Sequence, residues 1–189
     1  MRNLLFLICS LLCGVALHAQ TPAPAKSDGL PAPRADTTKV SYDRFEDKTT
    51  VSVEIRPARV ALPDGSSELV RIPLTAEFEC AGQDARCSPA LIVVSYAAGY
   101  RSLAQCDSLP VVFLADRTRI PSGNCRWLGS AVLFEIRSAD FIGLAKATQL
   151  QAKIGLWLFN FNDESLDAIR SLAQHLDVKP AAANQSEKH

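Results

Sequence analysis

Val51-Ser52-Val53-Glu54-Ile55 decides the fold class. Apolar β-branched residues alternate with polar ones, a period of two that gives a strand one oily face and one wet face. Working outward, the alternation slips phase after Arg56-Pro57 and resumes at Val60 and Leu62. A one-residue slip exchanges the faces of a strand unless a bulge absorbs it, and a bulge is expected at Pro57. Pro63-Asp64-Gly65 supplies turn chemistry, and Val70, Ile72, Leu74, Ala76, Phe78 and Cys80 then share a buried face.

Further strands are expected at Ala90 to Ala98 and Leu109 to Ala115, nearly continuous apolar runs of the kind covered on both sides. Val132, Phe134 and Ile136 oppose Leu133 and Glu135 in another strand. Ser138 is expected to cap a short helix through Ala147. A last strand is expected to run straight through Leu150, Ala152, Ile154, Leu156 and Leu158, with Trp157, Phe159 and Phe161 on its opposite face.

Asn162 is a good N-cap, and Asp163 and Glu164 sit where a helix dipole favours negative charge. Leu166, Ile169, Leu172, Ala173 and Leu176 follow at helical spacing as one apolar stripe. The sum is a mainly β domain, a β-sandwich or open barrel of about seven to eight strands, with a short helix and a C-terminal capping helix.

Upstream lies an export signal. Arg2 is followed by an apolar run from Leu4 to Leu12 and by small residues at Gly14, Ala16 and Ala19. Cleavage is expected after Ala19, with Ala16 as the competing site. The run is shorter than the roughly 20 residues of a membrane span, and the residues before Cys9 and Cys13 do not suit a lipoprotein anchor. The expected organisation is residues 1–19 as signal peptide, 20–37 as a Pro/Ala-rich disordered spacer, 38–178 as the domain and 179–189 as a disordered tail. An extended spacer rich in proline cannot bury enough apolar surface to fold alone. The expected location is periplasmic or secreted, with no membrane span in the mature chain.

Losing Arg2 with the leader leaves 19 basic against 20 acidic residues, a net charge of −1. That balance lacks the concentrated positive charge of a nucleic-acid binder. Four cysteines remain, Cys80, Cys87, Cys106 and Cys125, an even number that reads as disulfides in an exported chain. Three pairings are open; the local ones, Cys80–Cys87 and Cys106–Cys125, are favoured. Their spacings of 7, 19 and 19 do not fit a zinc site, and no histidine stands between residues 19 and 174.

The stretch Tyr42-Asp43-Arg44-Phe45-Glu46-Asp47-Lys48-Thr49-Thr50-Val51, with the ending Ile154-Gly155 through Phe159 and Phe161 to Ser165-Leu166 and Leu172-Ala173, resembles small exported bacterial proteins without assigned function. The resemblance covers the two ends of the domain. It implies a bacterial source and brings no active site with it.

Reactive chemistry is sparse. Nucleophilic catalysis by serine or cysteine needs a nearby base, and the mature chain offers only His175, in the last helical turn, and His189 at the end. Serine elbows, phosphate-binding glycine loops and metalloprotease helices are absent from the sequence, so no cofactor and no metal is implied. Glu77 and Glu79 share one strand face and could form a carboxylate pair, but the solvated face of a half-buried strand is the favoured reading.

Two sets remain as binding candidates. One is the aromatic line Trp157, Phe159 and Phe161, which the terminal helix is expected to cover. The other is Arg101, Arg117, Arg119 and Arg126, able to hold an anion if their loops converge. The leading expectation is a non-enzymatic exported module that binds an unknown protein or envelope polymer. The alternative is a carboxylate-based hydrolase of an extracellular polymer.

Overall fold

A computed structural model describes residues 30–33, 37–62, 64–69, 73–97 and 109–177. The expected signal peptide, most of the spacer, the tail, Val70, Ile72, Arg101 and Cys106 lie outside the described residues. Twelve strands and two helices follow in order: β1 Lys39–Asp43, β2 Lys48–Ile55, β3 Arg59–Ala61, β4 Ser67–Leu69, β5 Leu74–Ala81, β6 Leu91–Ala97, β7 Pro110–Ala115, β8 Thr118–Asn124, β9 Arg126–Trp127, β10 Ala131–Arg137, α1 Ser138–Lys146, β11 Leu150–Ile154, β12 Trp157–Asn160 and α2 Asp163–Ala173. They form a β-sandwich, in keeping with the alternating pattern. Sheet A has the order β1-β2-β5-β6-β10-β9, and sheet B the order β4-β3-β12-β11-β7-β8.

The two sheets are joined at both flanks by strands that change sheet. At Arg56-Pro57-Ala58 the chain leaves β2 in sheet A and enters β3 in sheet B. The phase slip at Pro57 is therefore a corner rather than a bulge. The corner is fastened by the Ala58 amide donating to Asn160 O at 2.8 Å and by the Ser165 hydroxyl donating to Arg56 O. On the other flank, β8 passes through Cys125 into β9 of sheet A. Its backbone comes so close to β10 that a Cβ on Gly123 would lie 3.3 Å from Glu135 O.

Alternation places Val51, Val53 and Ile55 with Leu74, Ala76, Phe78 and Cys80 in the core, all at most 4% exposed. The runs read as covered on both sides are buried on one side only. Ile92, Val94 and Tyr96 of β6 point inward while Leu91 is exposed; Val111, Phe113 and Ala115 of β7 point inward while Leu114 is exposed. No third layer lies over them among the described residues.

The straight last strand is a hairpin instead. Gly155 has φ 59° and, with Leu156, reverses the chain so that Ile154 pairs with Trp157. Positive φ at only the first loop residue is the signature of a type II′ turn, which suits the strand twist. A two-residue loop puts positions 154 and 157 on one face. Leu150, Ala152 and Ile154 therefore share the core with Trp157 and Phe159, while Leu156 and Leu158 face outward.

Helix α2 begins at Asn162, whose Oδ1 accepts from the Ser165 amide at 3.0 Å. Its whole expected stripe is buried. It lies against β2 and α1, and its stripe shares one buried core with Trp157 and Phe159. Ser138 is the first residue of α1, not its cap; its hydroxyl donates to Pro89 O. Arg170 of α2 closes the far end of α1. Its guanidinium donates to Ala145 O at 3.2 Å and Ala147 O at 2.9 Å, with Asp167 3.0 Å away to balance the charge.

Cys80 and Cys87 form a disulfide, as the local pairing anticipated. The closed loop docks on the segment after α2: the Cys87 amide donates to His175 O, and the Asp177 amide to Cys87 O at 2.8 Å. His175 Nδ1 lies 3.1 Å from Ala85 O. Cys125 is fully buried. Leu30, expected in the spacer, packs half-buried on the core. Among the described residues no helix is long and apolar enough to cross a membrane.

Candidate functional site

The outer face of sheet B is the place where the polar and cationic candidates gather. Register builds it residue by residue. Directly opposite neighbours run Leu69–Arg59–Asn160–Gln151–Leu114–Arg119 across all six strands. A second row beside it runs Ser67–Ala61–Leu158–Lys153–Val112–Pro121. Cross-strand neighbours on one face touch, and here Gln151 Nε2 donates to Asn160 Oδ1 at 2.7 Å. That bond leaves Gln151 Oε1 and the Asn160 amide hydrogens for a ligand.

At one end of the first row the surface dips into a groove of about 540 Å³. Leu114, Gln151 and Asn160 line its sheet side; Arg117, Gln149, Phe161 and Asp163 line its rim. The rim is held by Asp116, which turns the β7–β8 hairpin at φ 51°. Its Oδ1 accepts from the Thr148 hydroxyl at 2.7 Å, the Thr148 amide at 2.9 Å and the Gln149 amide at 2.8 Å. The Thr148 hydroxyl first, then the Gln149 and Thr148 amides, hold this carboxyl below its usual range. Asp116 is thus an ionised anchor for the loop and not a proton donor.

Neither row contains an acidic residue. Arg59, Arg117, Arg119 and Lys153 make no ion pair among the described residues; Arg59 donates a long hydrogen bond of 3.4 Å to Ser67. The outer face of sheet A is the opposite. There Lys39 pairs with Glu54 at 3.0 Å, Lys48 with Glu79 at 3.2 Å and Arg126 with Glu135 at 3.3 Å.

The expected aromatic line is divided. Trp157 is 6% exposed and Phe159 fully buried, with Phe159 edge-on to Tyr96 at 5.6 Å, so both are core residues. The hairpin at Gly155 is the reason they turn inward. Phe161, half-buried, does reach the groove. The arginines do not converge as a set. Arg117 lines the groove and Arg119 ends the first row, but Arg126 belongs to sheet A. Seven residues of extended chain, roughly 23 Å, separate Arg119 from Arg126.

Glu77 and Glu79 lie on the outer face of β5, with Glu79 held by Lys48. They stand side by side on one strand and do not face each other across a cleft. Among the described residues no three of His, Cys, Asp and Glu come together as a metal would require.

Gln151, Asn160, Gln149, Arg59 and Lys153 escaped the sequence analysis. The signal for two of them was present: Gln151 and Asn160 are equidistant from the Gly155-Leu156 turn, so a hairpin there pairs them. Comparison with protein-family models, with curated proteins and with solved structures finds nothing that matches this chain.

Proposed function

We propose that the domain is an exported, non-enzymatic binding module that engages a partner or envelope polymer at the outer face of sheet B, with the groove as its deepest contact. One observation carries this. The groove brings the Arg117 guanidinium, which makes no ion pair among the described residues, together with the amide groups of Gln151 and Asn160, while Asp116 is engaged by the Thr148–Gln149 loop. Few, convergent polar groups beside apolar Leu114 and Phe161 are what a binding cleft offers.

A carboxylate hydrolase needs one carboxyl group that stays protonated near its working pH. Of the two carboxylates at the groove, Asp116 and Asp163, Asp116 is shifted the other way. Export is supported by the leader residues, and an oxidising compartment by the Cys80–Cys87 bridge. The bacterial origin rests on the resemblance at the two ends of the domain.

The test is co-sedimentation of the full mature chain with insoluble envelope polymers, alongside an assay for released reducing ends. The expected result is retention that Arg117→Gln with Gln151→Ala weakens, with thermal unfolding unchanged and no polymer cleaved. Release of cleaved polymer by the wild type would replace this proposal with the hydrolase.

A further inference from the structure

The spacing of charge on sheet B narrows the ligand, resting on the binding role proposed above. Its face carries cations at regular intervals: Arg59 on β3, Lys153 on β11 and Arg119 on β8, each two strands from the next. Strands lie about 4.8 Å apart, so across the strands the cationic positions recur roughly every 10 Å and span about 19 Å, with Lys153 set about 7 Å to one side in the second row. Between them stand Leu158 and Asn160 of β12 and Val112 and Leu114 of β7, uncharged on this face.

We infer that the ligand is an acidic polysaccharide bearing one carboxylate on every second sugar unit, lying across the strands of sheet B. A sugar unit is about as long as one strand spacing, so alternate units meet a cation and the units between them meet Leu158 and Leu114. The aliphatic side chains suit the C–H faces of sugar rings, and the Gln151–Asn160 pair both donates to and accepts from hydroxyls.

Three alternatives fit less well. Arg59 and Lys153 stand apart from each other and from Arg117 and Arg119 at the β7–β8 hairpin, so the charge is spread along the face as separate carboxylates would need, where a multiply charged phosphate calls for one tight cluster. Neither row carries an aromatic residue on which nucleic-acid bases would stack. A bilayer surface would leave the groove unfilled, whereas an uncharged unit of a flexible chain can enter it beside the Asp116 and Asp163 carboxylates.

The full mature chain is titrated against four probes: hyaluronate, with a carboxylate on alternate sugars; polygalacturonate, with one on every sugar; uncharged dextran; and phosphatidylglycerol vesicles. Hyaluronate is expected to bind best, and more weakly as salt rises. The triple variant Arg59→Gln, Lys153→Gln, Arg119→Gln is expected to lose more than roughly tenfold in affinity, because each charge-assisted contact is stronger than a neutral one. A control, Lys39→Gln, Lys48→Gln, Arg126→Gln on sheet A, is expected to bind as the wild type does.

Equal binding of dextran overturns the acidic ligand but leaves a binding module standing. Preference for polygalacturonate overturns the alternate spacing. Binding to vesicles alone, or equal loss in both triple variants, overturns the inference. Binding to none of the four overturns it too, and the co-sedimentation result then decides separately whether any polymer is bound.

Discussion

The two sheets bury similar inner faces and present opposite outer ones. On sheet A the outward lysines and arginines are matched to carboxylates, Lys39 with Glu54, Lys48 with Glu79 and Arg126 with Glu135. That sheet is also fastened by the Cys80–Cys87 bridge at the end of β5 and contacted at β2 by α2. On sheet B, Arg59, Lys153 and Arg119 have no counter-charge among the described residues, and the middle of the face is amide and aliphatic. A surface whose charges neutralise one another projects little field beyond itself; a surface with one unmatched sign attracts a counter-charge. Near-zero net charge thus conceals how charge is distributed, and that distribution is what motivates the proposed binding face on sheet B.

Which residues face outward on sheet B is the premise most easily broken. Phe159→Ala empties a fully buried site and is expected to cost about 3–5 kcal/mol, measured by denaturant unfolding. Its neighbour Leu158→Ala, on the outer face, is expected to stay within about 0.5 kcal/mol. If the chain ran straight past Gly155, the two costs would be exchanged.

Next in size is the bridge on sheet A. Replacing both Cys80 and Cys87 by serine frees a sequence separation of 7, and the chain-entropy model gives a loss of about 2.5 kcal/mol. The same change is expected to leave polymer binding on sheet B intact, since the bridged loop docks on His175 and Asp177 and not on the groove. Loss of binding together with the bridge would join two regions held here to be separate.

The outer charges sharpen the comparison further. The sheet A triple variant removes ion pairs and is expected to lower the unfolding temperature slightly, an effect that salt mimics. The sheet B triple variant has no described ion pair to lose and is expected to leave the unfolding temperature unchanged. Equal losses would mean that both faces serve stability alone.

The smallest effect is in acid. Lys39 first, then Arg56, holds Glu54 below the ordinary glutamate value of 4.5, and Thr148 and Gln149 hold Asp116 below 3.8. A lowered folded pKa stabilises the fold above the unfolded value, and that share disappears as pH falls through the folded one. Glu54→Gln and Asp116→Asn should each flatten the fall in stability below about pH 4.5 and 3.8 respectively. High salt is expected to erase the Glu54 share, which is ionic, and to spare the Asp116 share, which is hydrogen-bonded. Thermal unfolding between about pH 5 and 2 at two salt concentrations reads both.

Much of the architecture was legible because it follows from short-range pattern. Val51, Val53 and Ile55 declare a strand by period, Asn162 and the stripe from Leu166 to Leu176 declare the last helix, and the closeness of Cys80 to Cys87 declares their bridge. The hairpin at Gly155 was missed because alternation continued unbroken across it. Apolar spacing through Ile154, Leu156 and Leu158 cannot reveal a reversal; only the glycine could, by allowing φ 59°. The Arg59–Asn160–Gln151 neighbourhood was illegible for a different reason. It joins β3, β12 and β11, and β3 lies far from the other two in the chain, so its register depends on how the sandwich closes at Pro57. Arg117 and Phe161 were found by type, and their meeting at one groove only by structure.

The claim on which the account turns is that the outer face of sheet B, and not that of sheet A, receives the ligand. Amide chemical shifts of the mature chain recorded during a hyaluronate titration test it most directly. Changes concentrated on β3, β7, β8, β11 and β12 and on the rim at Arg117 and Gln149 are expected. Changes confined to β1, β2 and β5 would contradict it.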